Sequence, residues 1–272
     1  MFGMPLERIL EIFIEYGFNA IDIPGDQDQY PINILKNIIP SYTDKIEVAE
    51  ITSMMNPERD LIHPNQKVRR SAINYIKYCI DVAAELDVNL THMCFLTFEE
   101  NLHKYKNQIE GRQHTYAIEC IKECAKYAEN LGVKLLMEPL YNGDISIVNT
   151  SEQAVNLFSE ALNMDKNVFM EGNHNYGLLQ DIFHMHHEEN NLIKTIERFQ
   201  PITYHMHVAD HIRSLDFTQE DSKFVKEAIK KLEGLDYLGS ISFESFHKDV
   251  TIKTLRKSLN QLKSFRQKCH HP

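Results

Sequence analysis

The stretch GLLQDIFHMHHEEN, residues 177–190, decides the fold class together with HMHVADHIR, residues 205–213. A short apolar run opens the first stretch and leads to Asp181, and His184 follows three residues later. A second apolar run leads to His207. Oxygen and imidazole ligands at the ends of consecutive strands are what a divalent-metal site requires. The two stretches therefore predict neighbouring strands that carry a metal site at their ends.

Strand-like and helix-like segments alternate along the whole chain. Short apolar runs near residues 20, 48, 92, 135, 179, 205 and 241 are typical of buried strands, and segments with helical spacing of apolar residues separate them. Such alternation predicts parallel βα units. Seven repeats in 272 residues indicate a (β/α)8 TIM barrel that forms a single domain, residues 1–272. A doubly wound open sheet is the competing fold, but the chain has no G-x-G-x-x-G turn.

The start of the chain departs from the usual order of such a barrel. Only Met1 to Met4 precede Pro5 and the first helix pattern, whereas a barrel of this type begins with a strand. We therefore expect the first strand to be short, confined to those residues, or missing because the N-terminus is truncated. An incompletely closed barrel exposes a strand edge, which a homodimer would cover.

The composition limits the classes of partner. The formal net charge is -10, which argues against a nucleic-acid partner because that binding relies on basic surface facing phosphate. We find no signal peptide and no apolar run near the roughly 18 residues of a membrane span. The five cysteines are odd in number and widely scattered, which favours reduced thiols. We therefore expect a cytoplasmic protein with no membrane partner.

Four consecutive predicted strands end in, or carry, a residue of ligand type. These residues are Glu138 in KLLMEP, Asp181 in GLLQD, His207 in YHMHVAD and Glu244 in ISFES. Parallel barrels place their chemistry at the carboxyl ends of the strands. Two Glu, one Asp and one His make a mostly oxygen site that suits Mn²⁺, Mg²⁺ or Co²⁺ and accepts Zn²⁺. Such an ion acts as a Lewis acid on a carbonyl and stabilises a developing enediolate, while two carboxylates exchange protons with the adjacent carbon.

These residues resemble the xylose-isomerase-like TIM barrels, and within them the sugar isomerase/epimerase branch of ketose 3-epimerases and hydroxypyruvate isomerases. DIFHMHHEEN, residues 181–190, is similar to the D-T-F-H-M-x-x-E-E of that branch. HMHVADHIR is similar to its H-x-H-x-x-x-x-x-R, with Arg213 six residues after His207. The resemblance covers nearly the whole chain, from Leu6 to about Phe265.

The resemblance implies a metal-dependent sugar isomerase or epimerase of carbohydrate metabolism that works through an enediolate. Its substrate would be a ketose or a related small hydroxy-carbonyl. One divalent ion, with manganese, magnesium, cobalt and zinc as candidates, would be bound by Glu138, Asp181, His207 and Glu244. Glu138 and Glu244 would also form the proton-transfer pair.

The resemblance also implies the residues that bind the substrate. His184 and Arg213 would hold substrate oxygens. After the strand that ends in Glu138, the ketose 3-epimerases have N-R-[FY]-E, and this chain has PLYNGD, residues 139–144. Asp144 therefore stands where a substrate-contacting Glu is expected, and we assign it to substrate binding. Because this segment differs from the family pattern, the sequence does not select one sugar.

Three other functions remain open at this stage. An inosose-type dehydratase, which is a lyase, would use the same metal site and expel a hydroxyl group. A barrel that has lost catalysis would serve as a binding protein. His63 and His92 suggest the multi-zinc AP endonucleases of the same superfamily, but those enzymes need further His ligands and a basic DNA-binding face.

Overall fold

Seven parallel strands form one sheet in the described part of the chain, and their order in the sheet follows the sequence. The structure is a computed structural model that describes residues 4–98, 100–101, 111–141, 146–172, 174–246, 248 and 250–266. The sheet closes almost completely into a barrel, because the ring of Phe18, just before the first strand, lies 5.9 Å from that of Phe243 in the last. The strands are β1 (Ala20–Pro24), β2 (Glu47–Thr52), β3 (Leu90–Met93), β4 (Lys134–Met137), β5 (Tyr176–Asp181), β6 (Thr203–Val208) and β7 (Ser240–Phe243).

Helices surround the sheet and connect successive strands. They are α1 (Leu6–Tyr16), α2 (Ile32–Ile38), α3 (Gln66–Glu85), α4 (Gln113–Asn130), α5 (Ser151–Leu162), α6 (Lys166–Met170), α7 (Ile182–Glu188), α8 (Leu192–Phe199), α9 (Lys223–Gly234) and α10 (Ile252–Arg266). The longer ones bury one apolar face against the sheet; in α3 this face includes Ile73, Ile76, Ile80 and Ala83. None of the described helices has the length and apolar character needed to cross a membrane.

Side-chain caps fix where several helices begin. The Asn65 side chain accepts the Lys67 N–H at the start of α3, and Thr150 and Gln153 form a reciprocal capping box at the start of α5. Asp181 caps α7, because its Oδ1 accepts the N–H of Phe183 at 2.7 Å. The cap of α7 therefore fixes the orientation of a residue that the sequence assigns to the metal site.

The structure confirms the strand positions and the barrel fold that the sequence predicts. All seven strands lie where the apolar runs placed them. From Met4 onward the described chain enters α1 directly, and the short first strand predicted at Met1 to Met4 lies, apart from Met4, outside the described residues. The side chains of β5 are all buried, and Leu178 and Leu179 of that strand are inaccessible to solvent. This continuous burial is typical of a parallel sheet covered by helices.

Candidate functional site

Four side chains of ligand type lie at the carboxyl ends of four neighbouring strands. Glu138 follows β4, Asp181 ends β5, His207 lies one residue before the end of β6, and Glu244 follows β7. The strand register brings them to one level, since Asp181 pairs with His207 and His207 pairs with Ser242. In parallel strands these ends meet at the same end of the barrel, where catalytic groups are found.

Glu138, Asp181, His184 and Glu244 form one cluster, which we call the mouth cluster. Their ligand atoms lie within 4.8 Å of one another. Asp181 is fully buried and Glu138 nearly so. His207 adjoins this cluster, because its Nδ1 is 3.7 Å from Glu138 Oε1 and 3.6 Å from Glu244 Oε2. The structure therefore brings the four predicted ligands and His184 together.

Two polar atoms between these side chains lack a hydrogen-bond partner. Glu138 Oε1 and His207 Nδ1 are both buried and both unsatisfied, although they lie 3.7 Å apart. Leaving a buried polar atom unsatisfied costs about 1–3 kcal/mol. A cation near both atoms would satisfy them, and carboxylate oxygen and imidazole nitrogen are ligands that Mn²⁺, Co²⁺ and Zn²⁺ accept. The residues present therefore fit a divalent metal ion.

Arg213 joins two acids of the mouth cluster. Its Nη1 donates to Asp181 Oδ2 at 2.5 Å and to Glu244 Oε2 at 2.6 Å. Its guanidinium carbon lies 4.3 Å from the centre of the Phe183 ring, a cation–π distance that also positions the group. Arg213 is thus a fixed positive charge at the mouth of the barrel, where it balances part of the carboxylate charge.

The turn that carries Arg213 is held by Asp210. Asp210 Oδ1 accepts the N–H groups of Ile212 and Ser214 at 3.0 and 2.7 Å. Arg213 has a φ of 61°, a left-handed conformation that is uncommon for residues other than glycine. Its carbonyl accepts a hydrogen bond from the Ser245 hydroxyl, just after β7. These bonds direct the guanidinium into the barrel.

His184 is a neutral hydrogen-bonding group at this site. Burial lowers its pKa to about 4, because its neighbours Asp181 and Arg213 act in opposite directions. Its Nδ1 accepts the N–H of Tyr141 at 2.8 Å, and its Nε2 lies 2.6 Å from Nη2 of Arg213. Nε2 faces Glu138 Oε1 and Asp181 Oδ2, both at 3.9 Å. His184 therefore links Arg213 to the Tyr141 backbone beside the carboxylates.

The charges of the site are strongly coupled. Burial favours the neutral forms of Glu244 and His207, but their mutual attraction, reinforced by Arg213 on Glu244, outweighs it. The pKa of Glu244 is therefore well below its usual range, and that of His207 is well above. Burial raises the pKa of Asp181 more than Arg213 lowers it. Because metal ligation requires a deprotonated nitrogen, a cation at this position would replace the proton on His207 Nδ1.

A second cluster lies next to the mouth cluster and deeper in the barrel, which we call the inner cluster. It consists of Asp22, Glu50, His205 and the Nε2 side of His207. The sequence interpretation did not assign Asp22, Glu50 or His205. One signal was present, because residues two apart in a strand face the same side, so His205 shares the face of His207. Asp22 and Glu50, by contrast, sit in short apolar strands with no flanking motif.

Six of the seven residues that the sequence assigned to the site lie together in the described structure. They are Glu138, Asp181, His184, His207, Arg213 and Glu244. Asp144, the seventh, lies outside the described residues, as does Asn142 beside it. His92, which the sequence suggested as a zinc ligand of another enzyme type, is buried between the two clusters, with Nδ1 2.8 Å from Glu50 Oε1 and Nε2 3.7 Å from Glu138 Oε2.

Comparison with known proteins finds several epimerases similar to this chain. A ketose 3-epimerase from Arthrobacter globiformis is 22% identical over 252 residues, which are 90% of this chain and 79% of that protein. The crystal structure of a D-psicose 3-epimerase from Clostridium cellulolyticum H10 with D-tagatose is 19% identical, with a TM-score of 0.74 over 97% of this chain and 93% of that one. A 3-keto-D-glucoside 4-epimerase from E. coli is 17% identical, with a TM-score of 0.75 over 97% of both chains.

The family assignment covers nearly the whole described barrel. The family described as xylose isomerase-like TIM barrel matches residues 10–266, a range that includes all seven strands and both clusters. The resemblance inferred from DIFHMHHEEN and HMHVADHIR is thereby confirmed. This chain belongs to the xylose isomerase-like TIM barrel family.

Proposed function

We propose that this protein is a divalent-metal-dependent sugar epimerase or isomerase that acts on a ketose or a related small hydroxy-carbonyl. The observation that carries the proposal is the meeting of Glu138, Asp181 and Glu244 in one cluster at one end of the barrel. His207 Nδ1 lies 3.7 Å from Glu138 Oε1 and 3.6 Å from Glu244 Oε2, and both His207 Nδ1 and Glu138 Oε1 are buried and unsatisfied. The curated relative from Arthrobacter globiformis bears the name ketose 3-epimerase, which supports the choice of reaction and of substrate class.

Glu138, Asp181, His207 and Glu244 would hold the metal ion. A bound Mn²⁺, Mg²⁺, Co²⁺ or Zn²⁺ supplies Lewis-acid polarisation of the substrate carbonyl, which acidifies the adjacent C–H. Three carboxylates and one imidazole favour a hard cation, and manganese is the ion we would test first. Asp181 suits this role because α7 uses only its Oδ1, whereas its Oδ2 faces the cluster.

Glu138 and Glu244 would transfer the proton. They extend from β4 and β7, with β5 and β6 between them, so they reach a bound carbon from different strands. Glu138 Oε1 has no hydrogen-bond partner and is the better placed base, while Glu244 Oε2 is held by Arg213 at 2.6 Å. One carboxylate would remove the proton next to the carbonyl, and the other would return a proton on the opposite face.

His184 and Arg213 would bind the substrate oxygens. Arg213 offers a guanidinium already positioned by Asp181 and Phe183. His184 lies beside it, with its Nε2 2.6 Å from Arg213 Nη2. Both groups would balance the negative charge that develops when the proton leaves. We keep Asp144 as a proposed substrate contact.

The proposal extends to the surroundings of the enzyme. The buried thiols Cys79, Cys120 and Cys124 suit a reducing, cytoplasmic compartment. A homodimer would cover the edge between β1 and β7, where the barrel is not fully closed. A single barrel domain would contain the whole site.

A panel of ketoses incubated with the Mn²⁺-loaded protein in D₂O tests this function. We expect deuterium at the carbon that changes configuration, observed by NMR, and no exchange with Glu138→Gln. Loss of water from the substrate instead would reassign the protein to the dehydratases. No exchange and no elimination with any ketose or keto-polyol would contradict catalysis and favour the binding-protein alternative.

A further inference from the structure

The inner cluster has the donor set of a second metal site. We propose that Asp22, Glu50, His205 and the Nε2 of His207 bind a second divalent cation of the zinc type, separate from the ion of the mouth cluster. Two imidazole nitrogens and two carboxylate oxygens form a common four-coordinate set for Zn²⁺. This inference goes beyond the proposed sugar chemistry and does not depend on it.

The distances between these donors match the edges of a coordination polyhedron. Asp22 Oδ2 is 3.0 Å from His205 Nε2 and 3.5 Å from His207 Nε2. Glu50 Oε2 is 4.0 Å and 3.8 Å from the same two nitrogens. Zinc–ligand bonds of roughly 2.0–2.2 Å give a tetrahedral edge of roughly 3.3–3.6 Å. Three of the four separations are too long for hydrogen bonds, but small shifts would bring all of them to this edge length.

A buried and unsatisfied oxygen points to a ligand here. Glu50 is inaccessible to solvent, and its Oε2 has no hydrogen-bond partner although two imidazole nitrogens face it. Its other oxygen, Oε1, is 2.8 Å from His92 Nδ1. A carboxylate with one oxygen held by a neighbouring group and the other facing further donor atoms is typical of an oriented metal ligand. Asp22 Oδ1 is likewise buried and unsatisfied.

The balance of charge supports a second ion. Five carboxylates lie in the two clusters, and Arg213 is the permanent cation in contact with them among the residues that the structure describes. One divalent ion and Arg213 together leave two negative charges in a buried environment. A second divalent ion offsets both, whereas without it the histidines must carry protons. Buried charges are retained only when they are paired or coordinate a metal.

His207 would connect the two ions. Its Nδ1 faces Glu138 and Glu244, and its Nε2 faces Asp22 and Glu50. A neutral imidazole has one nitrogen lone pair in the ring plane, so simultaneous binding needs the neutral ring to release its one N–H proton to solvent and become an imidazolate with one negative charge. The two ions should therefore bind with unequal affinity, the second more weakly.

Metal counting tests the second site. Untagged protein is loaded with Zn²⁺, dialysed, and measured for zinc per chain by inductively coupled plasma mass spectrometry. We expect two zinc ions in the wild type and one in Glu50→Gln, a substitution that keeps the shape and the oxygen facing His92. Glu138→Gln should also retain one ion, and the double variant none. A wild-type count of one that Glu50→Gln does not lower overturns the proposal, as does a count of two in Glu50→Gln. A wild-type count of one that Glu50→Gln abolishes keeps the inner site and contradicts the mouth site instead.

Controls separate this site from surface binding and misfolding. His114→Gln removes an exposed histidine paired with Glu160 and should leave two ions. A variant with His270 and His271 replaced by Ala should also keep two, and loss of one ion there assigns it to the tail and overturns the proposal. Circular dichroism establishes folding of each variant. If Glu50→Gln does not fold, Asp22→Asn, whose side chain is 14% exposed, replaces it with the same expected count of one.

Discussion

The substitution Glu138→Gln tests the proposed centre most directly. It keeps the side-chain volume and one carbonyl oxygen but removes the charge and the ability to accept a proton. Loss of a proton-transfer partner typically costs about 10²–10⁴ in rate, which is about 3–5.5 kcal/mol of transition-state stabilisation. Because Glu138 Oε1 also faces His207 Nδ1 at 3.7 Å, a metal ligand is lost as well. We therefore expect kcat to fall by at least about 10³.

Thermal unfolding with and without Mn²⁺ distinguishes the loss of metal binding from the loss of proton transfer in Glu138→Gln. An ion at 100 times its Kd stabilises the folded state by about 2.7 kcal/mol. In a chain of this size, that energy corresponds to a rise in Tm of about 5–10 °C. We expect this rise in the wild type and a clearly smaller one in Glu138→Gln. The metal-free Tm should differ little between the two proteins, since the substitution preserves volume.

Two results would refute this reasoning. An unchanged kcat in Glu138→Gln would show that Glu138 neither transfers the proton nor holds an essential ion. A large fall in the metal-free Tm, with the Mn²⁺-dependent rise intact, would make Glu138 a structural residue. Glu160→Gln is the matched control, because Glu160 is an exposed glutamate paired with His114, and it should change neither quantity.

Three further predictions follow from local geometry. In Gly177→Ala the new Cβ would lie 2.5 Å from Ile202 O, so we expect the free energy of unfolding, measured with denaturant, to fall by about 2–3 kcal/mol. Gly234→Ala is the control, because open space surrounds Gly234 and the free energy of unfolding should not fall. His184→Gln should lower kcat/KM about 10–100-fold with unchanged metal content, since it removes a proposed substrate contact beside Arg213 and no proposed metal ligand. Loss of metal in this variant would make His184 a ligand. Burial raises the pKa of Asp60 to about 6, so the folded state favours its neutral form. The neutral Asp60 side chain therefore contributes its full share to the free energy of unfolding below about pH 4, and this contribution is lost as the pH rises through 6. Relative to Asp60→Asn, the unfolding free energy should therefore fall by about 2–3 kcal/mol between about pH 4 and pH 7, measured by urea titration at both pH values.

The barrel could be predicted from the sequence because each strand carries its own signal. Runs such as Leu178–Leu179 and Leu135–Met137 are apolar on both faces and are inaccessible to solvent, as a helix-covered parallel sheet requires. The short helix α7 was not predicted. It begins at the Asp181 cap and ends by Glu188, and over seven residues no helical periodicity can be recognised.

The mouth cluster could be predicted, and the inner cluster could not, for a physical reason. Glu138, Asp181 and Glu244 lie at strand ends, where a polar residue after an apolar run is visible in the sequence. Asp22 and Glu50 lie within strands and point into the barrel, where their environment depends on residues from β6 that are more than 150 positions away. Only closure of the sheet brings them to His205.

Two register shifts in the sheet assemble both clusters. Between β1 and β2 the pairing moves by one residue after Ile21, so that Asp22 faces Glu50 rather than Ala49. Between β5 and β6 it moves by one after Leu178, so that Asp181 faces His207 rather than Met206. Because side chains alternate in a strand, a one-residue change of register exchanges the inward and outward faces. Without these shifts the opposing residues would be apolar. The two irregularities therefore act as parts of the site, and Tyr204, which the second shift passes over, packs closely against Gly177.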